Sequence, residues 1–340
     1  MRLYARPHQL DLTTPGRRDY HVALRHDSLA GEHLIPLTVF VGPEAKAGKG
    51  LVAIGGNHGD EYEGPMALKW LLHEIEPNAV LGRLIIIPVL NPSAFGNDTR
   101  EAETADGLNL NRLFHPPGKP AAAGDTVSHR IVEFLRRHIW ENVHLVFDVH
   151  TGGAYTQFVN AALFHRGANL EATLAAARRF RPRALLTMTN INQSTLTTDA
   201  TRHGHIAVGF ELGYGTTVSA AALTKVKHGV LANAVEHRLL VPGFPLPSAD
   251  APDTPVQARI VDPDSFLAAP FAGYYEPHAA VGDLVEKGQV LGWLHDFNRI
   301  DMAPEPIKAH IAGLLVIQPN ITVVPQGCHL AAIGVPDGES

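Results

Sequence analysis

Gly55-Gly56-Asn57-His58-Gly59-Asp60-Glu61-Tyr62-Glu63-Gly64 lies between an apolar run at 51–54 and a helical pattern over 63–76. A strand, a glycine-rich loop and a helix in that order form one unit of an α/β sheet. Such sheets gather ligands in the loops at the carboxyl ends of their strands. Further apolar runs at 84–90, 143–149 and 206–212 read as buried strands, and 127–140 and 170–180 read as helices. Strands alternating with helices predict an α/β fold, a sheet covered by helices on both faces.

The pattern changes at 241–255, where Pro242, Gly243, Pro245, Pro247, Pro252 and Pro255 mark a linker. Beyond it, helical periodicity gives way to short strands with glycine turns. Ala269-Pro270-Phe271-Ala272-Gly273 is echoed by Ala309-His310-Ile311-Ala312-Gly313, and Lys287-Gly288-Gln289-Val290-Leu291 by Gln326-Gly327-Cys328-His329-Leu330. Two β units of this kind predict a smaller all-β domain at 255–340, after a catalytic domain at 1–245. The stretch 282–291 resembles the lipoyl/biotinyl-carrier fold. A carrier needs a lysine to modify, and 296–306 contains none, so a structural β domain is expected.

At roughly 150 residues per domain, 340 residues allow about two domains. Hydrophobic residues make up 45% and charged residues 18%, enough for a sizeable core. Lys and Arg number 28 against 34 Asp and Glu, a net charge of −6. That sign speaks against a general nucleic-acid or acidic-membrane surface. Cys328 is the one cysteine, which excludes an intrachain disulfide and a cysteine-based metal site. No apolar run approaches the roughly 18 residues of a membrane span, and 1–15 lacks a signal-peptide pattern. The expectation is a soluble, cytoplasmic protein, with homo-oligomerisation left open.

With cysteine excluded, any metal site must draw on imidazole and carboxylate. His58 and Glu61 are three residues apart on the glycine loop and can converge on one ion. His150 ends the apolar run that begins at 143, the same kind of strand-end position. His₂Glu leaves a fourth position for water, as a catalytic zinc ion requires. Asp148, two residues earlier on the same strand face, can orient the His150 imidazole from behind. The plainer reading of each histidine is structural; the glycine-rich context and the paired strand ends favour a metal centre.

Asn57-His58-Gly59-Asp60-Glu61, Asn91-Pro92, Asn109-Leu110-Asn111-Arg112, Asp148-Val149-His150 and Phe210-Glu211-Leu212-Gly213 occur in this order. Together they resemble the succinylglutamate desuccinylase/aspartoacylase family, relatives of the zinc carboxypeptidases. The form of the first and third motifs is most similar to its N-acetyl-diaminobutyrate deacetylase branch. The resemblance implies a zinc-carboxypeptidase-like mixed sheet and one Zn²⁺ per chain on His58, Glu61 and His150. It implies Glu211 as the proton shuttle and Arg100 as the group polarising the scissile carbonyl. It further implies Asn111 and Arg112 as the grip on a substrate carboxylate, with Arg202 as a second contact. The implied activity is hydrolysis of the amide bond of a small N-acyl amino acid. Desuccinylase or aspartoacylase activity, a carboxypeptidase, and a non-catalytic zinc or ligand-binding protein are the alternatives. The segment 42–50 fails the phosphate-loop pattern and no serine-hydrolase elbow occurs, so neither chemistry is expected.

Overall fold

The central strands form from the least polar stretches of the chain. In order, the strands are β1 (Arg2–Ala5), β2 (Gly16–Arg25), β3 (Glu32–Val41), β4 (Gly50–Ile54), β5 (Arg83–Ile87), β6 (Leu145–His150), β7 (Thr156–Phe158), β8 (Ala161–Phe164), β9 (Ala184–Thr189) and β10 (Ile206–Glu211). They continue as β11 (Val256–Val261), β12 (Phe266–Ala268), β13 (Gly273–Pro277), β14 (Leu284–Val285), β15 (Val290–His295), β16 (Glu305–Lys308), β17 (Gly313–Pro319), β18 (Val323–Val324) and β19 (His329–Pro336). The helices are α1 (Glu63–Glu74), α2 (Pro92–Gly96), α3 (Val127–Phe134), α4 (Leu170–Arg178), α5 (Leu196–Arg202) and α6 (Ala220–Glu236). This computed structural model describes residues 2–27, 31–102, 105–116, 125–189, 193–250, 254–261 and 263–336. Met1, linker residues 251–253 and tail residues 337–340 lie outside the described residues.

The main sheet runs β1-β2-β3-β5-β4-β6-β10-β8-β9-β11-β19-β17-β14. Strands β5, β4, β6 and β10 are mutually parallel, and β8 pairs antiparallel with β10. Every residue of β4, β5 and β6 is buried, as expected of parallel strands covered on both faces. One face carries Leu68 and Leu71 of α1 and Val226 of α6 against Phe147, Val208 and Phe210. The other carries Ile131 and Phe134 of α3 and Leu196 of α5 against Val52, Ile85 and Val146. The mixed α/β sheet expected from the sequence is therefore present.

Phe147 of β6 and Phe210 of β10 meet at the ring of Phe180, with centroid distances of 5.0 Å and 3.7 Å. Each fully buried aromatic contributes about 1.5–3 kcal/mol through apolar burial. The cluster sets side by side the two strands that end in His150 and Glu211. Those residues are register partners.

Several boundaries differ from the sequence reading for identifiable reasons. The run 84–90 stops pairing at Ile87 because Pro88 has no N–H to donate. The helix expected over 127–140 changes after Phe134 to a π-turn at Leu135–Ile139 and a 3₁₀ turn at Trp140–Asn142. The ten-residue pair β2–β3 carries Arg17, Arg18 and Asp19 and gives no clean apolar run. Pro36 sits in β3 opposite His21 of β2 and outside the segment that pairs with β5, so no bond to β5 is lost at its missing N–H.

After the linker, β11 pairs parallel with β9 and antiparallel with β19, so the last strands extend the main sheet. β16, β15, β13 and β18 form a separate antiparallel sheet. The two repeat units interleave: β13 pairs with β18 and β17 with β14, each joining the first strand of one unit to a short strand of the other.

Candidate metal centre and catalytic cleft

The glycine loop leaves β4 and turns back sharply before α1. Gly56 has φ +59°, a left-handed conformation that favours glycine. At Gly59, a Cβ would lie 2.1 Å from the backbone of Ala94. This close approach of the loop to α2 turns His58 and Glu61 inward, and both side chains are buried. The end of β6 brings His150 to the same place. Ligand atoms of His58, Glu61 and His150 all lie within 4.8 Å of one another.

Each imidazole presents Nδ1 to Glu61. His58 Nδ1 is 2.8 Å from Oε1 and His150 Nδ1 is 2.8 Å from Oε2. The opposite ring nitrogens face acceptors. His150 Nε2 is 2.8 Å from Asp148 Oδ2, and His58 Nε2 is 3.3 Å from Asn109 Oδ1. A ring that donates from Nε2 keeps its Nδ1 lone pair for an ion, so with a cation between Nδ1 and Glu61 these acceptors would hold the tautomer it requires. Asn57 Nδ2 donates to the same Asp148 oxygen at 3.1 Å and braces it. Two nitrogens and one carboxylate, buried and aimed at a single point, suit a divalent cation.

The electrostatics follow from crowding buried charge. Burial alone raises the Glu61 carboxyl, but the adjacent His58 and His150 rings outweigh it and hold the group well below the usual carboxylate range. Burial works to lower His150, yet Asp148 and Glu61 together lift it well above the ordinary imidazole value. At His58 burial dominates and lowers the value. Burial, reinforced by the negative charge of Glu61, pushes the Glu211 carboxyl well up.

These groups open into a cavity of about 360 Å³ lined by His58, His150, Asp148, Arg100, Arg112, Asn111 and Glu211, among others. Glu211 Oε2 has no hydrogen-bond partner among the described residues. Arg100 Nη1 donates to Glu61 Oε1 at 3.3 Å. Arg112 donates from Nη1 to the Asn111 carbonyl at 2.9 Å, and the nearby Arg100 charge helps lower its pKa after burial. Two guanidinia thus share one side of the cavity. Asn111 is turned partly inward: its side-chain oxygen accepts from the Leu196 N–H at 2.9 Å, and its Nδ2 lies 3.3 Å from His150 Nε2. Asp60 holds the Ala154 N–H at 3.0 Å and so braces the loop after His150.

The structure does not bring Arg202 into the cavity lining. Its guanidinium donates to the carbonyls of Gln193 at 2.7 Å and Phe114 at 2.6 Å, and lies 3.4 Å from Asp199 Oδ1. Those acceptors occupy the fork and brace the segment before α5. Asn109 was visible in its motif, but its contact with His58 was not. Sequence reading also missed the contribution of the tail: Ile260, Phe266, Val316 and Ile317 line the same cavity. They stand among other apolar residues and carry no motif.

Comparison with known proteins places the chain in one family. A family model described as the succinylglutamate desuccinylase/aspartoacylase catalytic domain matches residues 47–236. The N-alpha-acetyl-L-2,4-diaminobutyric acid deacetylase of Halomonas elongata is 32% identical over 314 residues, covering 90% of this chain and 87% of that protein. The product-bound structure of the ectoine utilization protein EutE (DoeB) from Ruegeria pomeroyi superposes with a TM-score of 0.83 at 29% identity, covering 96% and 98% of the two chains. A succinylglutamate desuccinylase/aspartoacylase structure from Rhodobacter sphaeroides gives 0.83 at 28% identity, with the same coverage. No helix among the described residues is long and apolar enough to cross a membrane.

Proposed function

We propose, on the premise that this chain belongs to the succinylglutamate desuccinylase/aspartoacylase family, that it is a zinc-dependent hydrolase of the amide bond of a small N-acyl amino acid. The observation that carries the proposal is the convergence of His58, Glu61 and His150 beside Glu211, whose carboxylate Oε2 has no partner among the described residues. A divalent cation on those three donors would supply Lewis acidity toward a carbonyl oxygen and lower the pKa of water to about 7.

The chain's own residues do the rest. Glu211 accepts a proton from the attacking water at Oε2 and delivers it to the departing amine nitrogen. Arg100, already within hydrogen-bond reach of the donor cluster, faces the negative charge that develops on the carbonyl oxygen. Arg112 offers a planar fork to the substrate carboxylate, and the Asn111 amide adds a donor. Fixing that end presents the amide in one orientation, which is the proximity contribution. Asp148 holds the His150 ring at the angle a cation needs.

Metal analysis joined to a substrate screen tests the proposal. The expected result is one zinc per chain and turnover of N-acetyl amino acids, with N-acetyl-diaminobutyrate, N-acetylaspartate and N-succinylglutamate in the panel. Dipeptides are expected to be slower. A chain without stoichiometric metal, or one inert to every N-acyl amino acid, removes the assignment. Asp148→Asn is expected to weaken zinc affinity about 10–100-fold, because a neutral amide oxygen is a poorer acceptor than a carboxylate for the His150 Nε2–H and the Asn57 amide. Competition with a chromophoric chelator reads that change, and wild-type affinity in the variant would refute the orienting role.

A further inference from the structure

The walls of the catalytic cavity follow the order of strands in the sheet. Arg100 and Arg112 stand on segments that follow β5. His58, Glu61 and His150 come next, at the ends of β4 and β6, and Glu211 ends β10. Beyond Glu211 the lining comes from β8, β9, β11, β12 and β17: Leu163, Met188, Ile260, Phe266, Val316 and Ile317. A substrate whose carboxylate rests at Arg112, and whose carbonyl rests at the donor cluster, must send its acyl chain toward this second flank.

That flank is mainly apolar and partly uncovered. Leu163, Met188, Phe266 and Ile317 pack on the cluster formed by Val159, Leu186, Ile260 and Val316, yet each stays only half-buried because it borders the cavity. An enclosed apolar surface of this kind marks a ligand site. Among the described lining residues, the carboxylates are Asp60, Asp148 and Glu211. Asp60 and Asp148 already hold Ala154 N–H and the His150 ring, and Glu211 is the proton carrier. His165, the titratable group near Met188, has Nε2 2.8 Å from Thr198 Oγ1. Burial pushes its pKa down to about 4, so it is neutral at physiological pH. Tyr155, Thr156, Thr195 and Thr197 add hydroxyls to the lining, but no oppositely charged side chain, so a charged acyl chain would recover only part of its desolvation cost there.

We infer that this flank is an acyl-chain subsite for an uncharged apolar group longer than acetyl, with Met188, Phe266 and Ile317 setting the preference. The inference rests on the deacylase reading given above and narrows it to one class of acyl donor. It also gives the tail strands β11, β12 and β17 a direct part in substrate selection.

The test is a chain-length series, N-acetyl-, N-butyryl- and N-hexanoylglycine, with N-succinylglycine as the charged counterpart, all on the zinc-loaded full chain. Each buried methylene is worth about 0.8 kcal/mol, so kcat/KM is expected to rise about fourfold per added methylene until the cavity is full. N-butyrylglycine should exceed N-succinylglycine by at least tenfold. In Met188→Asp and Phe266→Asp the ratio of hexanoyl to acetyl kcat/KM should fall at least tenfold. Because each ratio is taken on one preparation, loss of folded protein cancels from it, and the wild-type series stands without the variants. Turnover that is flat or falling along the series, or a preference for the succinyl compound, overturns the subsite and leaves the deacylase assignment intact. Inactivity toward every compound removes both.

Discussion

Glu211→Gln is expected to retain wild-type zinc content and to lose about two to four orders of magnitude in kcat, the range typical of an acid–base group. Glutamine keeps the size and one hydrogen-bonding oxygen of the side chain but cannot take up a proton. The position is favourable for that exchange of protons. Glu211 ends β10 in register with His150 and lines the cavity, and its buried Oε2 has no partner among the described residues. Burial and the Glu61 charge raise its pKa, which makes it a stronger base than an exposed glutamate. KM should change little, because the proposed carboxylate grip is at Arg112 and Asn111. Zinc content and steady-state kinetics on the same preparation settle the matter: a variant within tenfold of wild-type kcat means that another group moves the proton.

The parts of this molecule that were legible in its sequence are those whose physics is local. Strands β4, β5, β6 and β10 are buried on both faces, so each reads as an uninterrupted apolar run. The candidate metal donors lie in two short motifs at strand ends, and the glycines that shape the first motif are themselves part of the signal. What escaped depends on distant partners. The pairing of β11 with β9 joins residues about seventy positions apart, and no residue of β11 announces it. The apolar flank of the cavity is made of side chains indistinguishable by type from core residues. The guanidinium of Arg202 was expected at the substrate, and its position was decided by the carbonyls of Gln193 and Phe114, which no spacing rule predicts. Asn109 is intermediate: its motif drew notice, while its contact with His58 depends on how the 109–112 turn folds over the glycine loop.

Glu61→Ala is expected to cost the protein both its metal and its activity. Removing a residue that merely orients a ligand lowers metal affinity about 10–100-fold, so deletion of a ligand should exceed that and leave activity below detection. Glu61 also has a structural part, apart from the proposed ion. Its two oxygens face His58 Nδ1 and His150 Nδ1 at 2.8 Å each, and Oε2 accepts from Thr151 N–H at 3.2 Å. The carboxylate therefore joins the glycine loop to the end of β6. In its absence Thr151 N–H loses a buried acceptor, and Arg100 loses the anion it contacts at 3.3 Å. The metal-free variant should accordingly unfold at lower denaturant than metal-free wild type, by about 1–3 kcal/mol for the unsatisfied group. Two measurements separate these effects. Zinc titration reports the lost ligand, and denaturant unfolding of both proteins in chelator reports the lost bridge. Near-wild-type zinc affinity in Glu61→Ala would place the cation elsewhere and remove the site on which the hydrolase assignment depends.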